Sequence, residues 1–351
     1  MIARAVLASW LVLLSSIESA AEGKDVSASE IDRWIPGILS ASSVPGLSLA
    51  VVRNGEIAFA AGYGVKDEKS APVAPETIFE AASLSKPVFA YGALLLTREG
   101  KLDLDAPLTS YLETAFIEDD PRLERITARL VLSHSTGLPN WRPGRWTDSP
   151  GPLRIEFEPG SRFGYSGEGY EYLGLAIERI TGVSIEDFLQ RAVLKPLGML
   201  DSSYVWQVSY EESSAKGHDR SGKPVSKLRP KRANVAASLH TSARDYARFL
   251  LAMVDSTRTD VVSSMMKEET KIDAALGWGL GWGLEATEAG RFFWHWGDND
   301  SFKAFVMGSR RDGSAVVVLT NSANGLRACQ AVVRAILGPD HPALAFPMLQ
   351  Y

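Results

Sequence analysis

The spacing of apolar and polar positions divides the chain into strand-like ends and a helical middle. From about Ser27 to Leu39 apolar residues recur at helical spacing. Leu47-Ser48-Leu49-Ala50-Val51-Val52 then reads as a strand, Asn54-Gly55 as a tight hairpin turn, and Ile57 to Gly62 as the returning strand. Near the other end, Phe302 to Met307 partly alternates, Arg311-Asp312-Gly313 turns the chain, and Ala315 to Leu319 is an apolar run of the buried-strand type. A last helix is predicted over roughly Gly325 to Leu337. In the middle, Lys86 to Glu99 is largely apolar and stops at Gly100, a good helix terminator. Tyr170 to Thr181, Ile185 to Leu194 and Ser242 to Met253 also carry helical spacing. The stretch Tyr210 to Asn234 is polar and rich in Gly, Pro and charge, so it reads as an exposed loop.

Strands at both ends with helices between them predict an α/β fold of the α+β type. One antiparallel sheet is built from both chain termini and flanked by helices, and a mostly helical subdomain is inserted into it. The expected bounds are about 22–80 and 236–351 for the sheet part and about 81–235 for the helical part.

Composition narrows the class. At 351 residues, 45% hydrophobic and 23% charged, the chain can bury a substantial core. A formal net charge of -5 gives no electrostatic reason to bind nucleic acid, and Arg229-Pro230-Lys231-Arg232 is only a short basic run. Residues 1–21 read as a signal peptide: Arg4 supplies a positive start, Ala5 to Ile17 an apolar segment, and Ser19-Ala20-Ala21 a small-residue cleavage site. That apolar run is shorter than the ~20 residues a membrane span needs. The expected mature domain is 22–351, periplasmic or secreted, with no membrane span once the signal is removed. The single cysteine, Cys329, excludes an internal disulfide, and its apolar helical surroundings predict a buried core thiol.

The chemistry starts at Ser83-Leu84-Ser85-Lys86. Residues three apart share one helix face, so the Ser83 hydroxyl and the Lys86 amine can meet, and a serine needs such a neighbour to lose its proton. Alone the pattern means little: a serine at a helix start is ordinarily a cap, and Ser264-Met265-Met266-Lys267 repeats it. Two further motifs follow in order, Phe163-Gly164-Tyr165-Ser166-Gly167 and His295-Trp296-Gly297. With these three, the sequence resembles the superfamily of serine β-lactamases, penicillin-binding proteins and family VIII esterases, most closely its class C-like branch. The resemblance runs over nearly the whole mature chain and takes in Leu132 to Pro139, Gly277 to Trp282, His240 to Asp245 and Lys303-Ala304-Phe305.

The resemblance implies a cofactor-free hydrolase acting through an acyl-Ser83 intermediate on a small molecule or short peptide. Lys86 would assist deprotonation of Ser83. Tyr165 would hydrogen-bond Ser83 and pass protons, its pKa depressed by the neighbouring cation. His295 would take the place of the usual Lys of the third motif, changing charge near its ordinary pKa of about 6.5. Gly297 would let substrate backbone approach the strand, and the Asp298 N–H would complete an oxyanion hole with that of Ser83. Two departures stand out. The tyrosine motif normally ends in Asn, which contacts the substrate amide, and here has Gly167; the fixed charge of a lysine is also missing at His295. Both weaken recognition of a carboxylate-bearing β-lactam and favour an ester, a short peptide or an unusual amide, while β-lactam, D-amino-acid peptide and carboxylic ester all stay open as substrates. The rival is a penicillin-binding protein that acylates without efficient turnover. His134 reads as a structural loop residue. His218, His240 and His341 have no metal-ligand spacing, so no metal is expected. Position 168 is Glu, so the Gly-x-Ser-x-Gly elbow of α/β-hydrolases is absent.

Overall fold

The computed structural model describes residues 26–349, except 114, 115, 118 and 259. The signal peptide expected over residues 1–21 lies outside the described residues. Among the described residues the strands are β1 (Gly46–Arg53), β2 (Glu56–Gly64), β3 (Phe79–Glu80), β4 (His240–Thr241), β5 (Thr270–Lys271), β6 (Leu276–Trp278), β7 (Gly283–Thr287), β8 (Gly290–Asp298), β9 (Lys303–Ser309) and β10 (Ser314–Thr320). Eight form one antiparallel sheet in the order β2-β1-β10-β9-β8-β7-β6-β5, and β3 pairs with β4 apart from it. The longer helices are α1 (Ala28–Ser42), α2 (Ser85–Arg98), α3 (Gly167–Thr181), α4 (Ala243–Val254) and α5 (Gly325–Leu337).

The predicted joining of the two chain ends is the centre of this sheet: β1 lies beside β10, with Leu47 opposite Thr320 and Val52 opposite Ala315. The β1–β2 hairpin forms at Asn54-Gly55, and both residues have positive φ (51° and 78°), as a type I′ turn requires. The central strands are mostly apolar on both sides because the sheet has a core on each face. Leu47, Leu49 and Val51 point into a core shared with α1 and α5, whereas Ala50 and Val52 point into the larger core with α2, α3 and α4. The same alternation runs through β10, where Val316 and Val318 face the first core and Val317 and Leu319 the second.

Several segments differ from the pattern reading. The helix expected over Ile185 to Leu194 is α-helical only over Ile185–Leu189 and continues as a π turn over Gln190–Leu194. The pattern reading does not mark β5 to β7, which are short, nor β8, whose alternation is lost because it carries Phe293 into one core and Trp294 and Trp296 into the other. The loop between Tyr210 and Asn234 is not wholly exposed: Ser214, Ala215 and His218 are buried, and His218 Nδ1 lies 3.0 Å from the Asn321 carbonyl oxygen. Among the described residues, no helix is long and apolar enough to cross a membrane.

Candidate active site

Ser83 sits in a 3-10 turn, Ala82–Leu84, that runs directly into α2. Ala82 has φ +50°, a left-handed conformation that a residue with a Cβ adopts only when its surroundings hold it there. They do so from several sides. Ser85 Oγ donates to the Ala82 carbonyl (2.5 Å), the Tyr246 hydroxyl to that of Leu84 (3.0 Å) and the Tyr204 hydroxyl to that of Ser85 (2.6 Å). The Ala81 N–H reaches Leu239 O at 2.8 Å, just before β4. Strand β8 closes the turn from the other side, where a Cβ on Gly297 would stand 2.3 Å from the Ala81 carbonyl oxygen. The close approach that Gly297 permits in the structure is therefore that of the Ser83 turn to β8.

Lys86 lies on the first turn of α2 and is fully buried. Its ammonium donates to Ser83 Oγ at 3.1 Å and to the Ala236 carbonyl at 2.9 Å. It also stands 4.7 Å from the centre of the Tyr165 ring and 5.5 Å from that of Tyr170. Burial, opposed by the charge of Glu171, pushes its pKa down to about 7, so a large fraction is neutral near pH 7. Glu171, pushed up to about 7 by its own burial, accepts the Val235 N–H at 3.0 Å and so fixes the segment that carries the Ala236 carbonyl. Neither Glu171 nor Ala236 carried a sequence signal, because both act through a backbone segment that only the fold brings near Lys86.

Tyr165 precedes α3 and is bracketed by His134. The Ser166 N–H donates to His134 Nδ1 (3.0 Å), and the Gly164 N–H to the His134 carbonyl (2.7 Å). The His134 ring lies tilted against that of Tyr165, with centres 4.2 Å apart, and burial holds its pKa well below the usual value, so it acts as a neutral acceptor. The structural reading of His134 thus gains a specific content: it orients Tyr165. The expected depression of the Tyr165 pKa is reversed. Burial raises it above its ordinary 10; the nearby Ser83 hydroxyl favours ionisation, yet no hydrogen bond of normal geometry closes on the phenol oxygen. The Lys86 ammonium stands 4.7 Å from the ring centre, and burial of the phenol outweighs it.

His295 points from β8 into the same cluster, its ring 6.0 Å from Tyr165 and 5.4 Å from Trp278. It is fully buried, and burial reinforced by Lys86 lowers its pKa to about 3. The charge change expected near pH 6.5 therefore does not occur; the imidazole is neutral at any ordinary pH. Its Nδ1 lies 2.7 Å from the Trp296 carbonyl, which assigns the proton to Nδ1 and leaves Nε2 a buried acceptor without a protein partner. Asp298 ends β8, its carboxylate accepting the Asp300 N–H at 3.0 Å and pairing with Lys303. Gly167 opens α3 and donates to the Asn140 carbonyl at 3.0 Å and its Oδ1 at 3.2 Å.

The remaining candidates lie elsewhere. The second Ser-x-x-Lys copy straddles the end of a short helix, Val261–Met265, with Ser264 and Lys267 both exposed. Cys329 is buried and its thiol pKa pushed up. His341 pairs with Glu285 at 2.7 Å, and His240 Nδ1 lies against the Ser238 carbonyl at 2.9 Å. Among the described residues, no group of His, Cys, Asp and Glu side chains is arranged to hold a metal.

Comparison with known proteins supplies an independent test. The profile of the family described as Beta-lactamase matches residues 31–337. Protein flp of Staphylococcus aureus (strain N315) is 26% identical over 317 residues, covering 84% of this chain and 63% of that protein. The chain thus spans less than two thirds of that relative's length. Esterase EstB of Burkholderia gladioli is 31% identical over 227 residues, 56% of each protein. Among solved structures, the octameric penicillin-binding protein homologue from Pyrococcus abyssi superposes with a TM-score of 0.75 at 25% identity, covering 88% of this chain and 77% of that one. A class C β-lactamase gives a TM-score of 0.76 at 20% identity over 92% and 96%, a likeness of fold. With a profile match over most of its length, the chain belongs to the Beta-lactamase family.

Proposed function

We propose that the protein is an exported serine hydrolase that cleaves a carboxylic ester, or an amide of similar size, through an acyl-Ser83 intermediate. One observation carries the reading: a fully buried Lys86, its pKa pushed down to about 7, donates a 3.1 Å hydrogen bond to the Ser83 hydroxyl. A neutral amine at that distance takes the hydroxyl proton as Oγ attacks the substrate carbonyl carbon. The N–H groups of Ser83 and Asp298 are assigned to the developing oxyanion. On collapse the alkoxide leaves, protonated from Lys86 through the Tyr165 hydroxyl, which its raised pKa keeps in the protonated form. Water then attacks the acyl carbon, gives up a proton to the same relay, and restores Ser83. The neutral His295 and the bare Gly167 offer no fixed positive charge and no side-chain amide, which favours an ester over a carboxylate-bearing β-lactam. The likeness to EstB supports the same preference. The likeness to a penicillin-binding protein homologue keeps slow deacylation as the second reading.

The test is turnover of a p-nitrophenyl ester, nitrocefin and a D-alanyl peptide by the protein from residue 22 and by its Ser83→Ala variant. Ester turnover abolished in Ser83→Ala is the expected result. A stable mass adduct without turnover supports the second reading, and activity that survives Ser83→Ala refutes both.

A further inference from the structure

Two residues past Tyr165, the chain has no room for a side chain. A Cβ on Gly167 would lie 2.5 Å from Cη2 and 2.6 Å from Cζ2 of Trp141, so the benzo edge of that indole rests on the Gly167 backbone. Trp141 packs at 62° against Trp146, with ring centres 5.2 Å apart. Trp146 is 69% exposed, the only aromatic among the exposed large apolar side chains of the described residues. Nothing in its own packing accounts for this exposure, yet the segment is firmly held. The Gly167 and Glu168 N–H groups both donate to the Asn140 carbonyl, at 3.0 and 3.1 Å. Glu168, fully buried, takes a bidentate pair from Arg142 (2.9 and 2.7 Å), and Arg145 reaches it at 3.6 Å while its guanidinium lies 5.3 Å from the Trp146 ring. A buried carboxylate paired with two arginines is costly to disturb. Here it clamps residues 140–146 to the first turn of α3, and so fixes two indoles beside the segment that carries Tyr165.

We infer that Trp141 and Trp146 form an aromatic platform that selects esters bearing a flat apolar group, by stacking against that group while Ser83 is acylated. This rests on the reading of Ser83 as the nucleophile of an ester hydrolase. The platform replaces a hydrogen-bonding contact at position 167 with indole surface, which rewards apolar area and offers a polar amide little. The group can belong to the acyl or the alcohol side of the ester; the chemistry recognised is the same.

The experiment compares kcat/KM for p-nitrophenyl phenylacetate against p-nitrophenyl acetate, and for benzyl acetate against methyl acetate. It uses the unsubstituted protein, Trp141→Ala, Trp141→Phe and Trp146→Ala. The aryl preference in one of the two pairs is expected to fall about 3- to 10-fold in Trp141→Ala and Trp146→Ala, the span of one aromatic contact, and to persist in Trp141→Phe. The pair in which it falls identifies the side recognised. Trp146 is exposed, so its truncation does not threaten folding. If all four rates drop together, or if the preference is unchanged while turnover still depends on Ser83, the platform is refuted and the nucleophile stands. If no ester shows Ser83-dependent turnover, the reading of the site fails, and the platform with it.

Discussion

Replacing Gly297 by alanine tests whether β8 sets the position of the nucleophile turn. The added methyl would stand 2.3 Å from the Ala81 carbonyl oxygen and 3.2 Å from the methyl groups of Ala82 and Ala304. The first contact falls about 1 Å short of ordinary separation, and its partner is backbone. That carbonyl also accepts the Leu84 N–H at 3.0 Å, and the Ala81 N–H is tied to Leu239, so the turn cannot yield without losing bonds on both sides of Ser83. Overpacking of this kind costs ~1–3 kcal/mol, or about 1–4 °C of melting temperature in a protein of this size. A displacement near 1 Å at the nucleophile costs on the order of 100-fold in rate. The assay is the rate of Ser83 labelling by a fluorophosphonate, alongside a thermal melt. Gly174→Ala serves as control, since a methyl there meets Val235 at an ordinary 3.4 Å within α3. A Gly297→Ala protein with unchanged labelling rate and melting temperature would refute the reasoning.

Other consequences follow from protonation states. With Lys86 proposed to act as the neutral amine, kcat/KM for an ester should rise with pH through about 7, and the high pKa of Tyr165 should keep it level to at least pH 9. A decline setting in below pH 9 in a stopped-flow pH series would contradict this. Tyr165→Phe should cut the rate by roughly 100- to 10,000-fold. Its melting temperature should be unchanged or slightly higher, because the hydroxyl removed is buried without a hydrogen bond of normal geometry. Calorimetry on the variant checks the second half.

How far the sequence discloses this protein depends on where the physical signal lies. The Asn54-Gly55 turn was legible because its backbone needs two positive φ angles that these residue types supply. The last helix was legible because one apolar stripe faces one core, and it spans Gly325–Leu337 as expected. Strand β8 was obscured by burial on both faces, which erases the alternation by which strands are read. The meeting of Ser83 and Lys86 follows from their spacing, and the resemblance named Tyr165 and His295 as partners. Their protonation could not be read in the same way. Desolvation is a property of the folded interior, and it overrode both the cation beside Tyr165 and the ordinary pKa of His295. The contact of Trp141 with Gly167 carries no local signal at all, because it joins positions 26 residues apart in sequence.

The central claim is that Ser83, and not the second serine of the same pattern at Ser264, is the nucleophile. Labelling the intact protein with a fluorophosphonate, which transfers its phosphonyl group to an activated serine with loss of fluoride, followed by peptide mapping, tests this directly. A single adduct on the peptide containing Ser83, lost in Lys86→Met, is predicted. An adduct at Ser264, or one at Ser83 that forms equally fast without Lys86, would contradict the account.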